Sequence, residues 1–187
     1  MATILGYLIL AGFFFIESRM RIGEEAKSFE RGQFDQRSTV YIGIAYLLSI
    51  LAVLGSWFFN KLKIGTLPAR IGWLGLVVAL CGLLIRWRAN RVLGAFYTRT
   101  LKVTENQFIV RAGPYRVIRH PGYLGSILMW VGAATATANW IVLLVVLASM
   151  FSAYVYRIQN EEEMLMTTNA DYAEYRSRTR RLIPLIY

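Results

Sequence analysis

Five stretches of this sequence stay apolar for close to the length of a membrane-crossing helix, and no other feature constrains the fold as strongly. A bilayer core about 30 Å thick takes roughly 20 residues per helix, with about 17 to 25 usual. The stretches fall near residues 2–18, 39–59, 67–86, 121–138 and 140–157. The first and fourth are short, so tilt or local thinning of the bilayer has to help them across. At 56% hydrophobic and 14% aromatic, a chain of 187 residues carries more apolar surface than a soluble domain of that size can bury. The predicted class is all-α, a polytopic transmembrane helical bundle of about five spans.

Connections and charges orient the bundle. Only Thr137-Ala138-Asn139-Trp140 separates the fourth and fifth stretches, so those helices must form an antiparallel hairpin. The first stretch has no basic residues before it and no small-residue cleavage site after it, and is read as a retained span. Lys and Arg number five in 19–38, eight in 86–120 and five in 157–187, against three in 60–70 and none in the 137–140 turn. The positive-inside rule then predicts an outside N-terminus and a cytoplasmic C-terminus. The net charge of +10 follows the same loops, which reads as topology and attraction to anionic lipid and disfavours nucleic acid as a partner. Segment 19–38 mixes signs and is expected to be a solvated loop or interfacial helix. Cys81 is the single cysteine, so no internal disulfide is possible.

Chemistry concentrates in the last 75 or so residues. Gly113-Pro114 marks a turn, and Pro121 suits the first position of a helix because its missing N–H has no partner to lose there. His120 is thereby placed at the cap of the fourth span, at the membrane surface. A helix N-terminus favours a bound anion, and Arg119, His120 and Tyr123 add donors. The same residues serve equally as anchors for lipid headgroups. As the sole histidine, His120 excludes a bis-histidine haem or a multi-histidine metal site, and no metal is expected. Further on, Arg157 and Glu161 are four apart and able to pair on one helical face. Three adjacent carboxylates, Glu161 to Glu163, cannot all share that face, so at least one is expected to point into the bundle. Tyr172 and Tyr175, three apart, share a face before Pro184 stops the helix. They suit an interfacial position, and also stacking on an adenine or a sulfonium cation.

Taken in order, Leu93-Gly94, Gly113-Pro114-Tyr115, Arg119-His120-Pro121, Tyr123-Leu124-Gly125, Arg157, Glu161-Glu162, Leu165, Tyr172, Tyr175, Arg181-Leu182 and Pro184 closely resemble the isoprenylcysteine carboxyl methyltransferase family. They are more distantly similar to phospholipid N-methyltransferases. The resemblance covers roughly residues 85–187. It implies a C-terminal half enclosing S-adenosylmethionine, with S-adenosylhomocysteine as product, in a cytoplasm-facing pocket. A lipophilic or prenylated substrate would arrive from the bilayer. Carried over by position, Gly113, Tyr115, His120, Pro121, Tyr123, Glu162, Tyr172 and Tyr175 would line the cofactor. Arg157, Glu161 and Glu162 would lie near the reacting groups. Asn169-Ala170 departs from the Phe-Gly that relatives often carry before the paired tyrosines.

This organisation divides the chain into residues 1–66, N-terminal helices expected to shape substrate access, and 67–187, the methyltransferase core. Methyl transfer from a sulfonium is an in-line displacement that needs alignment and exclusion of water more than reactive side chains. No strand–Gly-x-Gly-x-x-Gly–helix unit competes for a nucleotide, and the glycines within the spans are expected to aid helix packing. The alternatives are a membrane reductase of the steroid 5α-reductase type using NADPH, and a non-enzymatic lipid-binding protein.

Overall fold

The structure, a computed structural model, describes residues 1–20, 33–94 and 109–183. Most of segment 19–38 and the motif residue Pro184 lie outside the described residues. Six helices are described: α1 (Ala2–Met20), α2 (Ser38–Lys61), α3 (Arg70–Leu93), α4 (Pro121–Ala136), α5 (Trp140–Thr168) and α6 (Tyr172–Arg178). Two 3-10 turns, Gln33–Asp35 and Gly113–Arg116, precede α2 and α4. In hydrocarbon every backbone N–H and C=O has to be satisfied within its own segment, and helices do this.

The first five helices alternate in direction. Thr3 Oγ1 on α1 donates to the Ala136 carbonyl at the end of α4, 3.2 Å away. At the opposite end Arg86 on α3 donates to Glu17 on α1 and to the Gly122 carbonyl at the start of α4. The α1 N-terminus and the 62–69 and 137–139 connections thus share one end of the bundle. Glu17, Asp35, residues 113–123 and the end of α5 share the other.

The outward faces of α1, α2, α3 and α5 are apolar and bare, with Leu8, Leu47, Leu51, Leu54, Leu84 and Leu144 all exposed. A helix surface of this kind needs lipid as its solvent. Those four helices have the length and hydropathy to cross a membrane. The fourth expected span is shorter than 121–138, because α4 has 16 residues, about 24 Å of helix. Enclosed by its neighbours, α4 does not have to match the bilayer along its own length.

Small residues set how α4 is enclosed. A Cβ built on Gly82 would overlap the Met129 backbone nitrogen, and one on Gly132 would overlap that of Ala79. Only glycine permits this approach of α3 to α4, so the spans' glycines do pack helices. On the other side α2 meets α5 through Ser49 and Ser149, 3.2 Å apart, and through the Tyr46 and Tyr154 hydroxyls, 2.8 Å apart. Trp130, Phe13 and Tyr46 fill the centre with tilted and edge-on rings.

Candidate active site

At the polar end, His120 caps α4 and Pro121 occupies its first position, as expected from the sequence. The main chain before them is pinned by the C-terminal tail. Arg119 N–H donates to the Arg180 carbonyl at 2.7 Å, and His120 N–H to that of Arg181 at 3.1 Å. Arg180 N–H returns a bond to the Val117 carbonyl at 3.1 Å, so the two segments run side by side.

Glu162 joins three pieces of chain. Its Oε1 accepts from Arg119 Nε at 2.8 Å and lies 3.3 Å from His120 Nε2, while Oε2 accepts from Arg181 Nε at 2.9 Å. Arg119 Nη1 also donates to the carbonyls of Arg176 and Thr179. A carboxylate so engaged, with 4% of its side chain exposed, is neutralised by its protein partners.

One residue earlier, Glu161 keeps 24% of its side chain exposed. Its Oε2 accepts from the Tyr123 hydroxyl at 2.6 Å and lies 3.9 Å from His120 Nδ1. The imidazole sits between the two carboxylates and stacks on the Tyr123 ring, 5.5 Å between centroids and 6° from parallel. His120 is therefore buried, not a surface histidine. The turn of tail that covers it accounts for the difference.

The expected Arg157–Glu161 pair takes another form. Arg157 Nε donates to the Tyr123 hydroxyl at 3.3 Å, so the phenol bridges arginine and glutamate. Arg157 Nη1 reaches Asp35 Oδ1 at 2.9 Å, Ser38 Oγ at 2.8 Å and Thr39 Oγ1 at 3.0 Å. The guanidinium spends its donors on a partner distant in sequence.

Tyr115, Tyr172 and Tyr175 pack to one side. The Tyr175 hydroxyl donates to the Tyr115 carbonyl at 2.7 Å, and Tyr172 and Tyr175 lie 6.0 Å apart with tilted rings. Burial pushes the Tyr175 phenol up to about 12, despite Arg119 and Arg111 nearby, which keeps it a donor. Burial, reinforced by Glu162, likewise holds Tyr172 protonated. Its buried hydroxyl has no hydrogen-bond partner among the described residues, and neither has Asn160 Nδ2 on α5. Gly113, at φ 56°, opens the 3-10 turn that carries Tyr115. A Cβ there would be strained and would press on Val92.

The structure thus brings His120, Tyr123, Arg157, Glu161 and Glu162 into one connected cluster, with Tyr115, Tyr172 and Tyr175 beside it. Sequence reasoning did not assign Asp35, nor Arg119 and Arg181 as the clamp on Glu162. The hydroxyls of Ser38 and Thr39, three and four residues past Asp35, were the available sign that its carboxylate turns inward. Among the described residues no three of His, Cys, Asp and Glu converge to hold a metal ion.

Fold and site define a class of protein: a membrane helical bundle with a buried ionic cluster built from helix ends at one face. A family model described as phospholipid methyltransferase matches residues 71–171. The chain belongs to that family of integral membrane proteins. Its curated relatives support the narrower resemblance seen in the motifs. The chain is 26% identical over 119 residues to a probable protein-S-isoprenylcysteine O-methyltransferase of Oryza sativa subsp. indica, a match covering 62% of each. It is 26% identical over 153 residues to protein-S-isoprenylcysteine O-methyltransferase B of Arabidopsis thaliana, covering 78% of this chain and 75% of the relative. The fold is shared with a solved structure titled as the eukaryotic intramembrane Ras methyltransferase ICMT, at a TM-score of 0.62 and 19% identity, over 97% of this chain and 68% of the other.

Proposed function

We propose that this chain is a membrane methyltransferase that moves a methyl group from S-adenosylmethionine to a lipophilic acceptor, of the isoprenylcysteine carboxylate type or similar. The observation that carries the reading is the opposite condition of two adjacent carboxylates. Glu162 is neutralised and holds the site together, whereas Glu161 is oriented by a phenol and still partly exposed.

The residues present fit the cofactor. Bound S-adenosylmethionine would supply a methyl group on a sulfonium cation, and the other two arms of that sulfur carry a nucleoside and an amino acid with its ammonium and carboxylate. Glu161 offers the negative charge such a cation needs. Tyr172 Oη and Asn160 Nδ2 offer buried hydrogen-bonding groups that have no protein partner among the described residues. Gly113, Tyr115, His120, Pro121, Tyr123, Glu162, Tyr172 and Tyr175 would line it, and Arg157, Glu161 and Glu162 would be nearest the reacting groups. The work of these residues is to orient and to exclude water. An acceptor with a proton to lose would lose it to Glu161, whereas a carboxylate acceptor needs no base.

Residues 1–66 would shape entry of the acceptor from the bilayer and 67–187 would form the core. The site faces the cytoplasm in this reading, with the N-terminus outside, since the Lys and Arg excess lies at the site end. A cysteine placed at Leu62 should then label only from the outer side.

Titration of the detergent-purified chain decides the activity class. Saturable binding of S-adenosylhomocysteine, no binding of NADPH, and transfer of labelled methyl to N-acetyl-S-farnesylcysteine are expected. Binding of NADPH alone would move the chain to the reductases. Binding of neither would leave a lipid-binding protein.

A further inference from the structure

Asp35 is fully buried, at 0% exposure, although it lies in a mixed-charge segment at the edge of the membrane. The turn that brings it inward is held at a cost, since the next two residues, Gln36 and Arg37, both take positive φ, 40° and 66°. Non-glycine residues persist in that region only where their surroundings over-determine them. Here α5 supplies the restraint. The Tyr156 hydroxyl donates to the Gln36 carbonyl at 3.0 Å, and Arg157 Nη1 reaches Asp35 itself.

Around Asp35 Oδ1 three donors converge: Thr39 Oγ1 at 2.6 Å, Arg157 Nη1 at 2.9 Å and Ser38 Oγ at 3.2 Å. One end of the guanidinium is thereby fixed in a cage of oxygens from Asp35 and the first turn of α2. Its Nε is aimed at the Tyr123 hydroxyl, which in turn donates to Glu161. We infer that Asp35 is a positioning residue of the reaction site, acting through Arg157 and Tyr123 to hold Glu161 in place; this rests on the methyltransferase reading above. The N-terminal part of the chain then completes the catalytic cluster as well as bordering the path of the acceptor.

Asp35→Asn tests this, as it keeps shape and removes charge. In protein labelled with 15N-arginine, the Arg157 Nε–H should exchange slowly with solvent in the wild type and at least about tenfold faster in the variant. Turnover with N-acetyl-S-farnesylcysteine should fall roughly 10- to 100-fold, as misplacement of reacting groups does. Affinity for S-adenosylhomocysteine should change less than turnover.

The same substitution in a Tyr123→Phe background should cost under about twofold more, because the link it acts through is already gone. Losses that multiply, or an unchanged Arg157 exchange rate, would overturn the inference. If Asp35→Asn does not fold, Thr39→Val removes one bond of the cage and is read against the same two criteria. A wild type that neither binds S-adenosylhomocysteine nor transfers methyl sinks the methyltransferase reading, while the exchange measurement still decides whether Asp35 holds Arg157.

Discussion

The two ends of the bundle are tied together by different chemistry. At the end holding the N-terminus, Asn139 Nδ2 donates to Asn60 Oδ1 and to the Ile64 carbonyl, and Asn60 Nδ2 donates to the Thr137 carbonyl. Asn139 Oδ1 caps α5 by accepting from Ile141 and Val142 N–H. Main-chain bonds from Trp140 to Gly65 and from Leu67 to Ala138 complete the tie. Every group in this tie is neutral and matched. At the other end Glu17–Arg86, Asp35–Arg157 and Glu162–Arg119 are buried ion pairs, with half-buried Arg181 also on Glu162, and Tyr172 and Asn160 each keep a polar atom without a partner among the described residues. Neutral amides join loops cheaply, whereas buried ion pairs must recover a large desolvation penalty. A fold that joins one end with amides has no mechanical need of ions at the other. The ionic end is accordingly where the proposed site draws its residues.

Removing the hub should give the largest effect. Glu162→Leu leaves Arg119 as a buried cation without its carboxylate, at a cost of about 3–5 kcal/mol. Unfolding in mixed detergent micelles should show that loss, with S-adenosylhomocysteine binding abolished. A cost below about 1 kcal/mol would put Glu162 on a par with an exposed ion pair.

Exchanging Arg157 and Glu161 comes next. For an isolated helix-surface pair the exchange would be nearly free. In this molecule it sets a new carboxylate against buried Asp35, and one of the two must take up a proton or move apart. Arg157→Glu/Glu161→Arg should be inactive and about 2–4 kcal/mol less stable. A swapped protein with normal stability would mean that Asp35 does not govern position 157.

At the neutral end Asn139→Ala should cost about 1–2 kcal/mol, the loss of a helix cap and its partner bonds. Turnover per folded molecule should stay within about twofold, since no ion or orphaned donor of the site is touched. A turnover loss beyond that would show that the two ends communicate.

How far the sequence discloses this arrangement depends on the range of the interaction. Four of the spans, the 137–140 hairpin and the His120 cap are local patterns, and each is present in the structure. The length of α4 was overestimated because hydropathy continues through Thr137 and Ala138, whereas the helix stops where Ala138 turns to φ 51°. The partners of Arg157 and Glu162 were missed for another reason. Spacing along a helix discloses i to i+4 neighbours, but Asp35 lies 122 residues from Arg157 and Arg119 lies 43 from Glu162. In sequence Asp35 is one acid among several in a solvated-looking segment. Only the packing of α2 against α5 separates it from them.

The smallest effect on stability is expected at the paired tyrosines, where two phenols sit in opposite conditions. Tyr175 gives its hydrogen bond to the Tyr115 carbonyl, so Tyr175→Phe removes that bond and should cost about 0.5–1.5 kcal/mol while the ring stays in place. Tyr172 has no such partner among the described residues. Tyr172→Phe removes a buried polar atom that gains nothing in the ligand-free protein, so stability should change by less than about 0.5 kcal/mol or improve. If that hydroxyl is kept for the cofactor, affinity for S-adenosylhomocysteine should nevertheless fall about tenfold, the worth of one hydrogen bond, and fall more than for Tyr175→Phe. Calorimetric titration of both variants beside their unfolding curves reads the two quantities together. Equal and small losses of affinity would return Tyr172 to ordinary packing. They would also remove the strongest hydrogen-bonding group from the proposed cofactor lining, leaving Glu161 and Asn160 to carry it.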